Sequence, residues 1–166
     1  MAAKLEYSLL QLIDALGDEC YGDQAVQILV HLTSTLIERL AKALNNPECA
    51  VREKAVFLLG EIGEKTAKTI VPALVPLLGD PDEIVGQKTA QALTRIGKSA
   101  IPALIGALQS DDIETRFYAA TSLADFPEFP IEPIPSLIEA LIDASNDPHC
   151  GVRFVAEEVL KALGTP

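Results

Sequence analysis

The amino-acid sequence predicts an all-α protein, an α-α superhelix of about five stacked helix pairs. Three observations predict it. The segment Val71-Pro72-Ala73-Leu74 returns as Ile101-Pro102-Ala103-Leu104, and each copy leads into a short apolar helix pattern. Each pattern then meets an acidic turn, Gly79-Asp80-Pro81-Asp82 or Ser110-Asp111-Asp112, with further turns at Asn46-Pro47-Glu48 and Asp147-Pro148. Behind every turn the apolar residues recur at fixed offsets. Five residues beyond Asn46, Asp80, Ser110 and Asp147 stand Val51, Val85, Thr115 and Val152. Nine beyond stand Ala55, Thr89, Ala119 and Ala156; thirteen beyond, Leu59, Leu93, Leu123 and Leu160; sixteen beyond, Ile62, Ile96, Phe126 and Leu163. Steps of 4, 4 and 3 residues trace one face of a helix.

Taken in order, residues 4–16 read as a helix, with Leu5, Leu9, Leu12, Ile13 and Leu16 on one face and Gly17-Asp18 ending it. Asp23 caps a second helix pattern through Val26, Ile28, Leu29 and Leu32. This pair, within residues 1–35, reads as a degenerate N-terminal capping repeat, and the hydroxyl run Thr33-Ser34-Thr35 favours a break after it. Four repeats follow over 36–164, so the whole chain, 1–166, reads as one repeat domain. The first begins near Leu36; its second helix runs from about Cys49 to Ile62 and stops at Gly63, a residue suited to a helix C-terminus. Pro72, Pro102 and Pro135 fall just inside the first helices of the later repeats, where a missing N–H costs nothing. Pro76, a turn further on, is expected to bend its helix. A proline-rich connector, Pro127 to Pro133, precedes a last repeat whose first helix is about one turn longer than its predecessor. This unevenness argues against a designed consensus array.

Composition excludes several functions. The net charge is −11, which disfavours nucleic acid and anionic membrane surfaces, since phosphate contacts need clustered Lys and Arg. No apolar run reaches the roughly 18 residues of a spanning helix, and Met1 to Tyr7 lacks the apolar core of a secretory signal, so a cytoplasmic location is expected. Three cysteines without a CxxC offer neither a disulfide framework nor a metal motif. Cys49 and Cys150 hold equivalent places three repeats apart, about 25–30 Å at the spacing of packed helices, too far to bridge within one molecule.

The pattern x-Pro-x-Leu, acidic turn, Val-Arg, Ala, Ala-Leu-x-x-Ile-Gly resembles the HEAT-repeat family, and more narrowly the short HEAT-like repeats of phycobilisome lyases. It is carried by Asn46, Val51-Arg52, Ala55, Leu59 and Ile62-Gly63, by Asp80, Val85, Ala92-Leu93 and Ile96-Gly97, and by Asp147, Val152-Arg153, Ala156, Leu160 and Leu163-Gly164. The resemblance implies a right-handed solenoid whose second helices line the concave side, and arginines that pair with a turn carboxylate of a neighbouring repeat. Two departures are plain. Gly86 replaces the arginine found at 52, 116 and 153, and Ser110 replaces the turn carboxylate, so this ladder is expected to be weakest around the second repeat.

With the core positions removed, the second helices present Glu53, Lys54, Phe57 and Glu61, then Gln87, Lys88, Gln91 and Arg95. Phe117, Tyr118, Thr121 and Asp125 follow, then Phe154, Val155, Glu158 and Ala162. Four of the eight aromatic residues lie among them, and exposed aromatics are what protein interfaces use as anchors. These residues are therefore the candidate partner-binding surface, with another protein as the expected partner. Val152, Val159 and Leu163 are expected to be partly open at the C-terminal end, which points to an end-to-end homodimer as a further possibility.

Catalysis finds little support. His31 and His149 stand in different repeats on no ligand spacing, and no phosphate loop or nucleophile motif occurs. The His-Glu pairs by which the similarly built deoxyhypusine hydroxylase holds iron are missing, and the acidic charge does not suit the basic face of HEAT-like DNA glycosylases. No catalytic residue, metal or cofactor is expected. The reading is a non-catalytic scaffold that binds another protein through its concave face. The alternative, which rests on the resemblance, is a phycobilisome-associated factor: a bilin lyase-type subunit or an agent of phycobilisome turnover.

Overall fold

The computed structural model describes residues 34–63, 66–126 and 134–164. The chain divides into two compact units, residues 1–39 and 40–166. The capping repeat expected at 1–35 and the connector at 127–133 lie essentially outside the described residues. Ser34 and Thr35, expected at a break, already belong to a helix, α1, over 34–43.

From there helices alternate with turns as the offsets demand. The second helices are α2 (Cys49–Ile62), α4 (Glu83–Ile96), α6 (Ile113–Ala124) and α8 (Cys150–Ala162). The first helices of the later repeats are α3 (Ala67–Leu74), α5 (Ile101–Ala107) and α7 (Pro135–Ala144). Among the described residues no strand occurs. The all-α solenoid is the observed class.

Glycine ends two of the second helices in the left-handed region, Gly63 at φ 73° and Gly97 at φ 84°, where any side chain would be strained. At the start of α4 the Asp82 carboxylate accepts from the Ile84 amide, and at the start of α6 Asp112 accepts from that of Thr115.

The prolines divide. Pro135 opens α7 and Pro102 is the second residue of α5, as expected. Pro72 is not at a helix start. Helix α3 begins five residues earlier, at Ala67, so Pro72 lies inside it, and its ring removes the bond an N–H would give to Lys68. Pro76 removes a second such donor one turn on, and there the α-helix gives way to a 3-10 helix over Val75–Gly79. The expected bend is thus a change of helix type.

The core follows the anchors. Ala55, Thr89, Ala119 and Ala156 are all buried, as are Val85, Leu59, Leu93, Leu123, Ile96 and Phe126, whereas the anchors Val51, Ile62, Thr115 and Leu160 are only half-buried. Burying each large aliphatic side chain contributes about 1.5–3 kcal/mol. The one polar member, Thr89, donates its hydroxyl to the Val85 carbonyl at 2.8 Å and so leaves nothing unsatisfied. At the C-terminal end the expectation of an open apolar edge is corrected in part. Val152 and Val159 are buried beneath α6 and α7, which both pack on α8; Leu163 is half-buried.

The second helices pack on one another in sequence, α2 on α4, α4 on α6 and α6 on α8. Gly60 lets α2 come close to α4: a Cβ there would stand 2.9 Å from that of Ala92. The first helices touch each other far less.

Candidate interaction surface

Each turn is built on one local bond. The side chain of its first residue accepts the amide two residues on: Asn46 from Glu48, Asp80 from Asp82, Ser110 from Asp112 and Asp147 from His149. Asn, Asp and Ser all do this work, which explains the variation at that position. Six residues beyond the turn, an arginine folds back so that its Nη1 donates to two turn carbonyls. Arg52 reaches those of Asn46 and Pro47, Arg116 those of Ser110 and Asp111, Arg153 those of Asp147 and Pro148.

That anchored guanidinium then grips the next repeat. Arg52 donates to both carboxylate oxygens of Asp80, Nε to Oδ2 and Nη2 to Oδ1, each at 2.7 Å. Arg116 does the same to Asp147 at 2.6 and 3.2 Å. Both pairs are largely shielded from water. Burial works against the charge of Asp80, but Arg52 and the Asp82 amide outweigh it and hold the carboxyl below its ordinary range. At Asp147 the Arg116 guanidinium is the foremost cause of the same lowering, and burial opposes it.

Between the second and third repeats the pair is gone at both ends, since Gly86 stands for the arginine and Ser110 for the aspartate. The space is refilled. Tyr118 packs against Gly86, and its hydroxyl donates to the Glu83 carbonyl at 3.4 Å. Thr94 donates to the Ser122 carbonyl at 3.1 Å, and Ser122 to those of Ala90 and Tyr118 at 3.4 and 2.7 Å. Neutral hydroxyl bonds therefore replace the ion pair at this seam.

The outward positions of the second helices are less uniform than their spacing suggests. Lys54, Phe57, Glu61, Gln87, Gln91, Arg95, Asp125, Phe154, Glu158 and Ala162 are exposed. Glu53, Lys88, Phe117, Thr121 and Val155 are half-buried. Tyr118 is not on the face at all: it is 7% exposed in the seam. Phe117 sits edge-on to the Tyr118 and His149 rings, at centroid distances of 5.5 and 6.4 Å, and borders Gly151 of the next repeat. The Thr121 hydroxyl donates to the Phe117 carbonyl. Phe57 remains 48% exposed beneath the Arg95 guanidinium, 5.5 Å from its centroid, and Arg95 also pairs with Glu61. Phe154 is the most open of the exposed large apolar residues at 64%, and Glu158 close by pairs with Lys161. Ile84 and Ile113, at the turn edge of their helices, are exposed as well; their helical spacing gives no signal that separates them from core positions.

Between α3, the 3-10 turn after it and α5 lies an open apolar groove of about 520 Å³, lined by Pro72, Val75, Pro76, Ala103, Gly106 and Ala107, with Ser110 and Thr115 as its polar members. Cys49 and Cys150 carry free thiols; a hydrogen bond to the Asp82 carboxylate, then its charge, pushes the Cys49 thiol above its usual range. Among the described residues, no three His, Cys, Asp or Glu side chains are grouped to hold a metal ion, and no helix is long and apolar enough to cross a membrane.

The family model for HEAT repeats matches residues 37–124. The chain belongs to the HEAT-repeat family. Helices α7 and α8, beyond the matched span, carry the same turn bond and the same arginine anchor, so the HEAT geometry continues to Gly164. Two crystal structures of engineered proteins are similar to the chain, each at 22% identity. One has a TM-score of 0.46 over 75% of this HEAT chain and 62% of its own, so the chain spans less than two thirds of it. The other has a TM-score of 0.49 over 94% and 79%. None of the curated proteins matches.

Proposed function

We propose that this HEAT-repeat chain is a non-catalytic scaffold that binds another protein through the row of its second helices. The observation that carries the reading is the exposure of Phe57 and Phe154 on that row, where each holds a large aromatic surface in water among charged neighbours. Aromatic side chains left so largely in water by their own chain are suited to anchor a partner, with Lys54, Glu61, Gln91, Arg95, Asp125 and Glu158 as a polar surround. The closer packing of the second helices supports their forming the inner, concave side, because a stack curves toward its tighter row. Glu53, Lys88, Phe117, Thr121 and Val155 contribute through their exposed parts; Tyr118 does not belong to this surface. The free thiols of Cys49 and Cys150 agree with a cytoplasmic setting.

The test is affinity capture from source-cell lysate with the tagged chain beside Phe57→Ala and Phe154→Ala variants. A saturable partner held by the native chain and lost with either variant supports the reading. Retention that ignores both substitutions removes this face as the binding surface. A phycobilisome-associated role remains carried by the repeat pattern alone. Titration of the purified chain with bilin examines it directly, and an unchanged visible spectrum disposes of it.

A further inference from the structure

The outward positions of the second helices divide by charge. On α2 and α4 they carry Lys54, Lys88 and Arg95 against Glu53 and Glu61, an excess of one positive charge in a chain whose net charge is −11. On α6 and α8 the charges at those positions, Asp125 and Glu158, are both negative. Pairing sharpens the contrast. Arg95 is engaged within the face: it pairs with Glu61 and lies over the Phe57 ring, 5.5 Å from its centroid. Lys54 and Lys88 make no hydrogen bond or ion pair among the described residues, and the half-buried Glu53 is the one other carboxylate on this half of the face. The two lysines stand in register, each eight residues beyond its turn residue, Asn46 or Asp80. Helices α2 and α4 pack directly on one another, with Gly60 close against Ala92, so the stems of Lys54 and Lys88 start about 8–10 Å apart. Phe57 follows Lys54 by one helical turn and is about half exposed.

Resting on the second-helix row as the binding face, we infer that its α2–α4 half takes an acidic helix of the partner protein. Two carboxylates seven residues apart meet Lys54 and Lys88, and an apolar side chain between them covers Phe57. The spacing selects a helix. Residues seven apart on a helix lie about 10.5 Å apart and on nearly the same face, and a residue three beyond the first joins them there. An extended segment covers a like distance, about 10 Å, in three residues, which turns its second carboxylate to the opposite side. A basic segment would bring like charge onto both lysines, and such juxtaposition is what suppresses wrong partners. Nucleic acid is the poorer occupant. A phosphate chain continuing along the row would meet Asp125 and Glu158, and the net charge of −11 opposes it throughout.

The probe is a fluorescein-labelled, alanine-based helical peptide with two glutamates seven residues apart and a leucine three residues after the first. A twin carries lysines in place of the glutamates. Anisotropy with the full chain at low salt is expected to show saturable binding of the acidic peptide, about ten-fold tighter than the twin, as two exposed ion pairs supply. The preference shrinks as salt rises. Lys54→Gln with Lys88→Gln removes the preference, and Lys54→Glu with Lys88→Glu inverts it, the helical circular dichroism staying as in the native chain. Phe57→Ala weakens both peptides. No saturable binding, a native preference for the basic twin, or an acidic peptide held equally well by the native chain and both lysine variants overturns the acidic partner. Tighter binding of a labelled single-stranded oligonucleotide overturns it too and makes a phosphate chain the occupant. Failure here is distinct from failure of the face. Lysate capture lost with Phe57→Ala but intact in the lysine variants keeps the face and rejects the acidic helix, whereas capture that ignores Phe57 and Phe154 rejects both.

Discussion

The Tyr118 ring occupies the volume that a side chain at Gly86 would need: its Cε2 lies 2.9 Å from where a Cβ on Gly86 would sit, and the Leu78 carbonyl is 3.1 Å from the same point. A helical glycine replaced by alanine ordinarily gains about 0.5–1 kcal/mol. Here the backbone carbonyl cannot yield, and Gly86→Ala is expected to destabilise by about 1–3 kcal/mol through overpacking. Denaturant midpoints measure it. Restoring the ladder by Gly86→Arg with Ser110→Asp is expected to fail even with Tyr118→Lys, because the Leu78 carbonyl stays where it is.

The two buried ladder pairs should weigh far more than the exposed Arg95–Glu61 pair. Asp147→Asn keeps the bond to the His149 amide and loses the charge-assisted pair with Arg116, with an expected cost of about 1.5–3 kcal/mol. Arg95→Ala removes a pair whose side chains are about half exposed, and its expected cost stays within about 1 kcal/mol. Equal effects in equilibrium unfolding would contradict the difference in burial.

Acid sensitivity follows from the same pairs. Asp80, Asp112 and Asp147 all have carboxyls held below their ordinary value when folded. A depressed folded value means stability that is complete above the unfolded value of about 3.9 and is lost as pH falls through the folded one. Unfolding midpoints should therefore be level near neutrality and decline below about pH 4. Asp80→Asn with Asp147→Asn should be less stable throughout and flatten that decline.

The Cys49 thiol should respond to its neighbour. The Asp82 carboxylate pushes that thiol above its ordinary range, which lowers the share of reactive thiolate. Asp82→Asn, which keeps an acceptor for the Ile84 amide, is expected to speed the mass-mapped alkylation of Cys49 near pH 8.

Much of this architecture was legible because it is written in short offsets. The boundaries of α2, the buried alanines and threonine nine residues beyond each turn, and the longer α7 all follow from spacing along one chain segment. What escaped depended on neighbours in space. Tyr118 sits at a position filled by Lys54 and Lys88 in earlier repeats, and only the loss of side chain at Gly86, 32 residues before it, draws it inward. The paired departures at Gly86 and Ser110 were visible, and together they carried the signal that the seam had been rebuilt. Pro72 misled for a different reason: α3 starts upstream at Ala67, after Thr66, whose hydroxyl makes no capping bond and donates to the Gly63 carbonyl instead. Burial of Val152 and Val159 came from helices on two sides, which a single helix pattern does not record.

The turn bond has a kinetic consequence. Asn46, Asp80, Ser110 and Asp147 each accept an amide only two residues away, so a turn closes with no help from any other repeat, whereas each arginine ladder spans about thirty residues and needs two repeats in place. Loop closure over so short a distance takes little entropy, and contacts of low sequence separation form fastest. Hairpins of helices therefore precede their docking, and the zippering between them, ionic at the first and last seams and neutral in the middle, sets the pace at which the array becomes one cooperative body.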